Sequence, residues 1–112
     1  MSRITTHVLD TSSGKPGKKI RIELFRNDSE IWKLIAEGIT NDDGRLSDLP
    51  ENSDTEKTGV YKLKFHTGEY FVSEGKDSFY PFAEVVFKVN GDFHYHVPLL
   101  ISPFAYSTYR GS

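Results

Sequence analysis

The sequence predicts an all-β fold, an antiparallel sandwich of seven or eight short strands with a single short helix. Three observations carry that expectation. Apolar and polar residues alternate with period two through much of the chain, the pattern of strands buried on one face. Clusters of turn-forming residues separate these runs at short intervals, as in sandwiches. One segment breaks the alternation and has a helix-stopping glycine behind it.

Taken in order, Ile4 to Leu9 reads as a first short strand, closed by the turn Ser13-Gly14-Lys15-Pro16-Gly17. Lys19-Ile20-Arg21-Ile22-Glu23-Leu24 alternates strictly, and Asn27-Asp28-Ser29 turns the chain into the more apolar Ile31-Trp32-Lys33-Leu34-Ile35-Ala36. Asn41-Asp42-Asp43-Gly44 follows, its Asp-Gly supplying the positive φ of a tight turn. Residues 50–58 are polar and charged and read as a surface loop. Tyr61-Lys62-Leu63-Lys64-Phe65 and Val85-Val86-Phe87-Lys88-Val89 are further strands. Between them, Thr67 to Asp77 is read as the helix, with Tyr70 and Phe71 side by side and Gly75 as its stop. Lys62, Lys64 and Lys88 are expected on solvated strand faces, with Trp32 and the phenylalanines in the core. From His94 onward the chain stays strand-like and aromatic almost to its last residue. Chain ends fray unless tied down, so this one is expected to dock.

At 112 residues the chain is expected to form one domain, spanning 1–112, large enough to bury a core without staples. A net charge of −2 with scattered positive residues argues against nucleic-acid binding, which needs a basic patch. The absence of cysteine excludes disulfides, zinc–thiolate sites and cysteine nucleophiles. The polar opening Met1 to His7 is followed by no apolar h-region. Val97 to Ile101, interrupted by Pro98, is far too short to span a bilayer. A cytoplasmic protein without membrane attachment is expected.

Chemistry gathers near the C-terminus. His94 and His96 lie two apart, so on a strand they share a face with Pro98, while Tyr95, Val97, Leu99 and Ile101 take the other. Such a pair can begin a metal site, but zinc needs three or four ligands, and only His7, His66 and carboxylates remain. The plainer reading is one packed histidine and one solvated. His7 falls on the face opposite Ile4, Thr6 and Val8, where a lone histidine is ordinarily exposed. Arg45, directly after the Asp-Gly turn, reads alone as a surface charge, and His66 as a strand-end residue without a role. Ser112 sits in no nucleophile elbow. Tyr109-Arg110 could hold an anion or a ring, through a planar guanidinium fork and a hydroxyl.

Together these residues form a set. Thr6-His7-Val8-Leu9-Asp10, Asn41-Asp42-Asp43-Gly44-Arg45, Tyr95-His96-Val97-Pro98-Leu99-Leu100 and the ending Tyr106-Ser107-Thr108-Tyr109-Arg110-Gly111-Ser112 resemble the 5-hydroxyisourate hydrolases, the transthyretin-related enzymes of urate breakdown. Gly14-Lys15-Pro16 fits as well, and Ala105 stands where relatives often carry glycine. The likeness covers essentially the whole chain. Transthyretin itself, the hormone carrier of the same fold, lacks the Tyr-Arg-Gly-Ser ending and this histidine–arginine set.

The resemblance implies a transthyretin-like eight-stranded β-sandwich with one short helix, assembled as a homotetramer, a dimer of dimers, with sites in clefts where dimers meet. It implies His7, Arg45, His96 and Ser112 as catalytic residues, and His7, Arg45, Tyr109, Arg110 and Gly111 as substrate-binding residues. The implied reaction is metal-independent hydrolysis of a cyclic amide of 5-hydroxyisourate, with no cofactor. Such a reaction needs a base for water, a group polarising the carbonyl and an acid for the leaving nitrogen. Three other readings compete: a non-enzymatic carrier of an aromatic ligand, a metal-dependent hydrolase built on His94 and His96, and a sandwich module for protein interaction.

Overall fold

A computed structural model describes residues 4–49, 58–90 and 94–111. Along them run strands β1 (Ile4–Asp10), β2 (Lys15–Pro16), β3 (Arg21–Asp28), β4 (Ile31–Ile39), β5 (Arg45–Leu46) and β6 (Gly59–Phe65). Helix α1 (Thr67–Ser73) comes next, then β7 (Ala83–Val89), β8 (Tyr95–Ser102) and β9 (Ala105–Thr108). Two of the strands, β2 and β5, are only two residues long.

The strands form two sheets. One has the order β2-β1-β8-β9 with β5 also against β1, and the other the order β4-β3-β6-β7. Their pairings are antiparallel with one exception: β1 runs parallel to β8, from Ile4 opposite Tyr95 to Asp10 opposite Ile101. That departs from the purely antiparallel expectation. Strands from the two ends of a chain can pair in parallel because the other sheet serves as the long crossover between them.

Period-two alternation places the core. Ile4 and Val8 of β1 and Val97, Leu99 and Ile101 of β8 face Ile22, Leu24, Tyr61, Leu63 and Phe65 of the second sheet, all buried. Each large side chain so buried contributes about 1.5–3 kcal/mol. The β3–β4 hairpin turns at Ser29 and Glu30, both with positive φ (53° and 70°), as a two-residue hairpin loop requires. Asn27 Oδ1 accepts the Glu30 amide at 3.1 Å.

Three expectations need correction. The helix ends at Ser73, short of Asp77, although Gly75 (φ 70°) does stop it. The Gly75 amide donates to Val72 O and the Lys76 amide to Phe71 O, which consumes the last carbonyls. Phe79 and Phe104 are exposed, and Trp32 is half-buried on an outer face. Lys62 is largely covered rather than solvated, at 14% side-chain exposure, and bonds Glu84 at 3.1 Å. Its ammonium lies 5.0 Å from the Phe25 ring centre and 4.7 Å from that of Trp32, so those rings shield the stem and attract the charge. The loop expected at 50–58 lies outside the described residues except for exposed Thr58.

Candidate active site

The outer face of the β1–β8 sheet collects the polar residues. Because Ile4, Val8, Val97 and Leu99 point inward, Thr5, His7 and Leu9 of β1 point outward, as do His96, Pro98 and Leu100 of β8. Parallel register sets Thr5 beside His96 and His7 beside Pro98. On the other edge of β1, β5 brings Arg45 opposite His7, while Leu46 turns into the core.

A tight turn delivers Arg45 there. Asn41 Oδ1 accepts the amides of Asp43 and Arg45, and the Gly44 amide donates to Asn41 O. Gly44 has φ 75°, and a Cβ on it would stand 2.4 Å from Val8 O. No other residue fits both requirements. The Val8 amide donates to Gly44 O at 2.8 Å, which fixes the turn to β1.

From the opposite direction the tail closes on His96. Thr108 Oγ1 donates to Pro98 O at 2.7 Å, and the Gly111 amide to His96 O at 2.8 Å. A Cβ at Gly111 would lie 2.6 Å from His96 Cδ2, so the ring and the tail backbone are in direct contact. The expected docking of the terminus is what the described residues do through Gly111. Ser112 lies outside them.

Tyr109 and Arg110 take a different place from His7 and Arg45. They line an edge groove of about 380 Å³ with Phe87, Lys88, Tyr95 and His96. The Arg110 guanidinium sits 4.8 Å over the ring of Tyr95, whose hydroxyl donates to Asn90 O. His7, Arg45, His96 and Gly111 are therefore together on one face, and Tyr109 and Arg110 beside it around His96.

One neighbour of His96 was not legible in the sequence. Thr5 Oγ1 lies 2.8 Å from His96 Nδ1 and 3.0 Å from His94 Nε2. Thr5 shares the outward face of His7 two residues on, but its partner on β8 follows only from the long-range register. The two imidazole rings stand 6.5 Å apart at 21°. Burial, then the charges of His94, His7 and Arg45, hold His96 below the usual histidine pKa. It is therefore a neutral imidazole near pH 7, able to accept a proton.

His66 lies apart, between β6 and α1. Its Nε2 meets Glu23 Oε1 at 2.6 Å, and Arg21 bonds Glu69 at 3.0 Å beside it. Among the described residues no group of three or more His, Asp or Glu side chains is arranged to hold a metal ion. No described helix is long and apolar enough to cross a membrane.

Residues 4–111 match the model of the HIUase/Transthyretin family. The chain belongs to that family. It is 45% identical to the 5-hydroxyisourate hydrolase of Pseudomonas aeruginosa, over all of this chain and 93% of that protein. Family members of known structure superpose closely. The Klebsiella pneumoniae 5-hydroxyisourate hydrolase is 34% identical with a TM-score of 0.84, covering all of this chain and 94% of that one. Sea bream transthyretin in complex with thyroxine is 30% identical with a TM-score of 0.90, covering 97% and 94%. Within the HIUase/Transthyretin family the backbone thus fits a 5-hydroxyisourate hydrolase and a thyroxine-bound transthyretin alike, and fold alone does not choose between activities.

Proposed function

We propose that this chain is a 5-hydroxyisourate hydrolase, converting 5-hydroxyisourate to 2-oxo-4-hydroxy-4-carboxy-5-ureidoimidazoline by attack of water on a cyclic amide. The observation that carries the reading is the convergence of His7, Arg45 and His96 on one sheet face, with Gly111 packed on the His96 ring. The names borne by relatives at about 45% identity point the same way.

In this reading His7 and His96 flank the bound ring, and one of them takes a proton from water as it attacks. Arg45 holds substrate oxygens and stabilises the negative charge that develops on the carbonyl oxygen. Gly111 presents the tail to the ring. Tyr109 and Arg110 extend the substrate contacts from the same segment, and Ser112, outside the described residues, keeps the catalytic role that the resemblance implies. No metal or cofactor enters the scheme.

The assembly proposed is a homotetramer, a dimer of dimers with the sites at the meeting of two dimers. Leu9 and Leu100, paired on the site face and half-buried, support burial of that face against another copy. Edge strands β7 and β9 offer open edges for a further contact.

The deciding experiment generates 5-hydroxyisourate from urate with a urate oxidase and follows its decay by ultraviolet absorbance, with spontaneous decay as the blank. Acceleration by the protein that survives a chelator is expected. A folded tetramer that binds an aromatic ligand without accelerating decay would instead make the chain a carrier. His96→Ala should lose at least about 10²-fold in turnover, the worth of a general base, and a near-normal rate would remove His96 from the mechanism.

A further inference from the structure

We propose that Thr5 is a positioning residue that ties the tautomer of His96 to that of His94, so that Nε2 of His96 meets the substrate as a bare, basic nitrogen. The inference deepens the hydrolase reading and rests on it for its kinetic arm.

The geometry is a three-member bridge. Thr5 Oγ1 stands between His96 Nδ1 at 2.8 Å and His94 Nε2 at 3.0 Å. A hydroxyl has one proton and two lone pairs. It can donate to only one of the two rings, and the other ring must then donate to it. The two imidazoles are consequently opposite in state at this bridge: where one presents N–H, the other presents a lone pair.

One orientation suits a base. If His96 Nδ1–H donates to Thr5 Oγ1, and the hydroxyl donates to His94 Nε2, then His96 Nε2 carries the free lone pair. When Nε2 takes a proton from the attacking water, Nδ1 already bears its own, and no hydrogen bond in the bridge has to reverse. The opposite orientation places the hydrogen on Nε2 and leaves His96 without basicity toward the substrate. Only the first arrangement is the same before and after proton transfer, which is what a preorganised base requires.

Position supports the assignment. Thr5 is buried, so water does not compete for its hydroxyl, whereas His94 is exposed and its other nitrogen is free to settle in solvent. Gly111 packs against the His96 ring on its Cδ2 side, away from Nδ1. Parallel pairing of β1 and β8 sets Thr5 opposite His96, fixing that half of the bridge with backbone, and His94 stands just before β8.

The test reads tautomers and rates together. Long-range proton–nitrogen NMR on histidine-labelled protein should show His96 protonated at Nδ1 and bare at Nε2 in the native chain, a tractable assignment with four histidines. Thr5→Val, nearly isosteric, should move His96 toward the Nε2–H form and lower kcat roughly tenfold or more with little change in KM. Thr5→Ser should restore both. Should Thr5→Val fail to fold, His94→Phe removes the acceptor at the other end. It should shift the His96 tautomer in the same way, with His94→Gln recovering part of it through its carbonyl. An Nε2–H tautomer in the native chain, or a His96 tautomer unmoved in the folded variant, overturns the proposal. If the native chain does not turn over 5-hydroxyisourate, the hydrolase reading fails while the NMR arm still decides the bridge.

Discussion

His96 is held on every side by something that biases its chemistry: Thr5 at Nδ1, Gly111 across the ring edge, and His94, His7 and Arg45 around it. Burial is the largest influence lowering its pKa, followed by His94, His7 and Arg45. Each raises the free energy of imidazolium, so a base at this position stays neutral to a more acid pH than an ordinary histidine. The rate of a neutral base falls as pH drops through its pKa. The acid limb of kcat/KM should therefore lie below the ordinary value of 6.5. Arg45→Gln removes one positive charge, so protonation of His96 becomes easier and that limb should move to higher pH, alongside a loss of rate. A pH–rate profile of both proteins checks this. An acid limb that does not move in Arg45→Gln would mean that His96 does not set it, or that Arg45 does not act on it.

The helix serves as a strut for β1 at the element scale. Tyr70 of α1 donates its hydroxyl to Asp10 Oδ2 at 2.9 Å, while Asp10 Oδ1 accepts from the Ser12 amide and hydroxyl. Burial works to raise the Asp10 pKa, but the hydrogen bonds from Ser12, Tyr70 and Ser13 outweigh it, and the carboxyl ends below the usual range. Burial and then Asp10 push the Tyr70 phenol up, which keeps the donor protonated. A carboxylate with a depressed folded-state pKa contributes stability that is present above its unfolded value and lost as pH falls through the folded one. Tyr70→Phe leaves Oδ2 without this donor in a buried place, at a cost of about 1–3 kcal/mol. Urea unfolding at pH 7 should show that loss, and the gap from the native chain should narrow once Asp10 is protonated in both. An equal gap at both pH values would assign the loss to packing instead. Strands and helix were legible in sequence because alternation, Asn41-Asp42-Asp43-Gly44 and Gly75 act locally. The helix boundary was less so, since the Gly75 and Lys76 amides close on Val72 O and Phe71 O and end the helix at Ser73, about one turn before Asp77.

What sequence could not convey belongs to the whole molecule. The parallel pairing of β1 with β8 joins residues more than ninety apart in number only through the register Ile4↔Tyr95, and it alone makes Thr5 a neighbour of His96. Apolar type likewise did not tell that Phe79 and Phe104 lie outside the core, because packing partners decide burial. His7, Arg45 and His96 were recognisable as a set through resemblance, not through spacing, since each sits on a different strand. The same long-range sheet lays a half-buried leucine pair, Leu9 and Leu100, across the face that carries the site. If that face is completed by a second dimer, a charge placed there must separate the dimers and disable the site together, because an unpaired buried carboxylate is costly. Leu100→Glu leaves the inward residues Leu99 and Ile101 untouched, so each protomer should still fold. Sedimentation velocity should find the native chain near four times 12.8 kDa and the variant at half that size or less. Turnover measured at the same concentrations should fall with the tetramer fraction. A variant dimer as active as the native tetramer would place the whole site within one dimer and overturn completion of that face by a second.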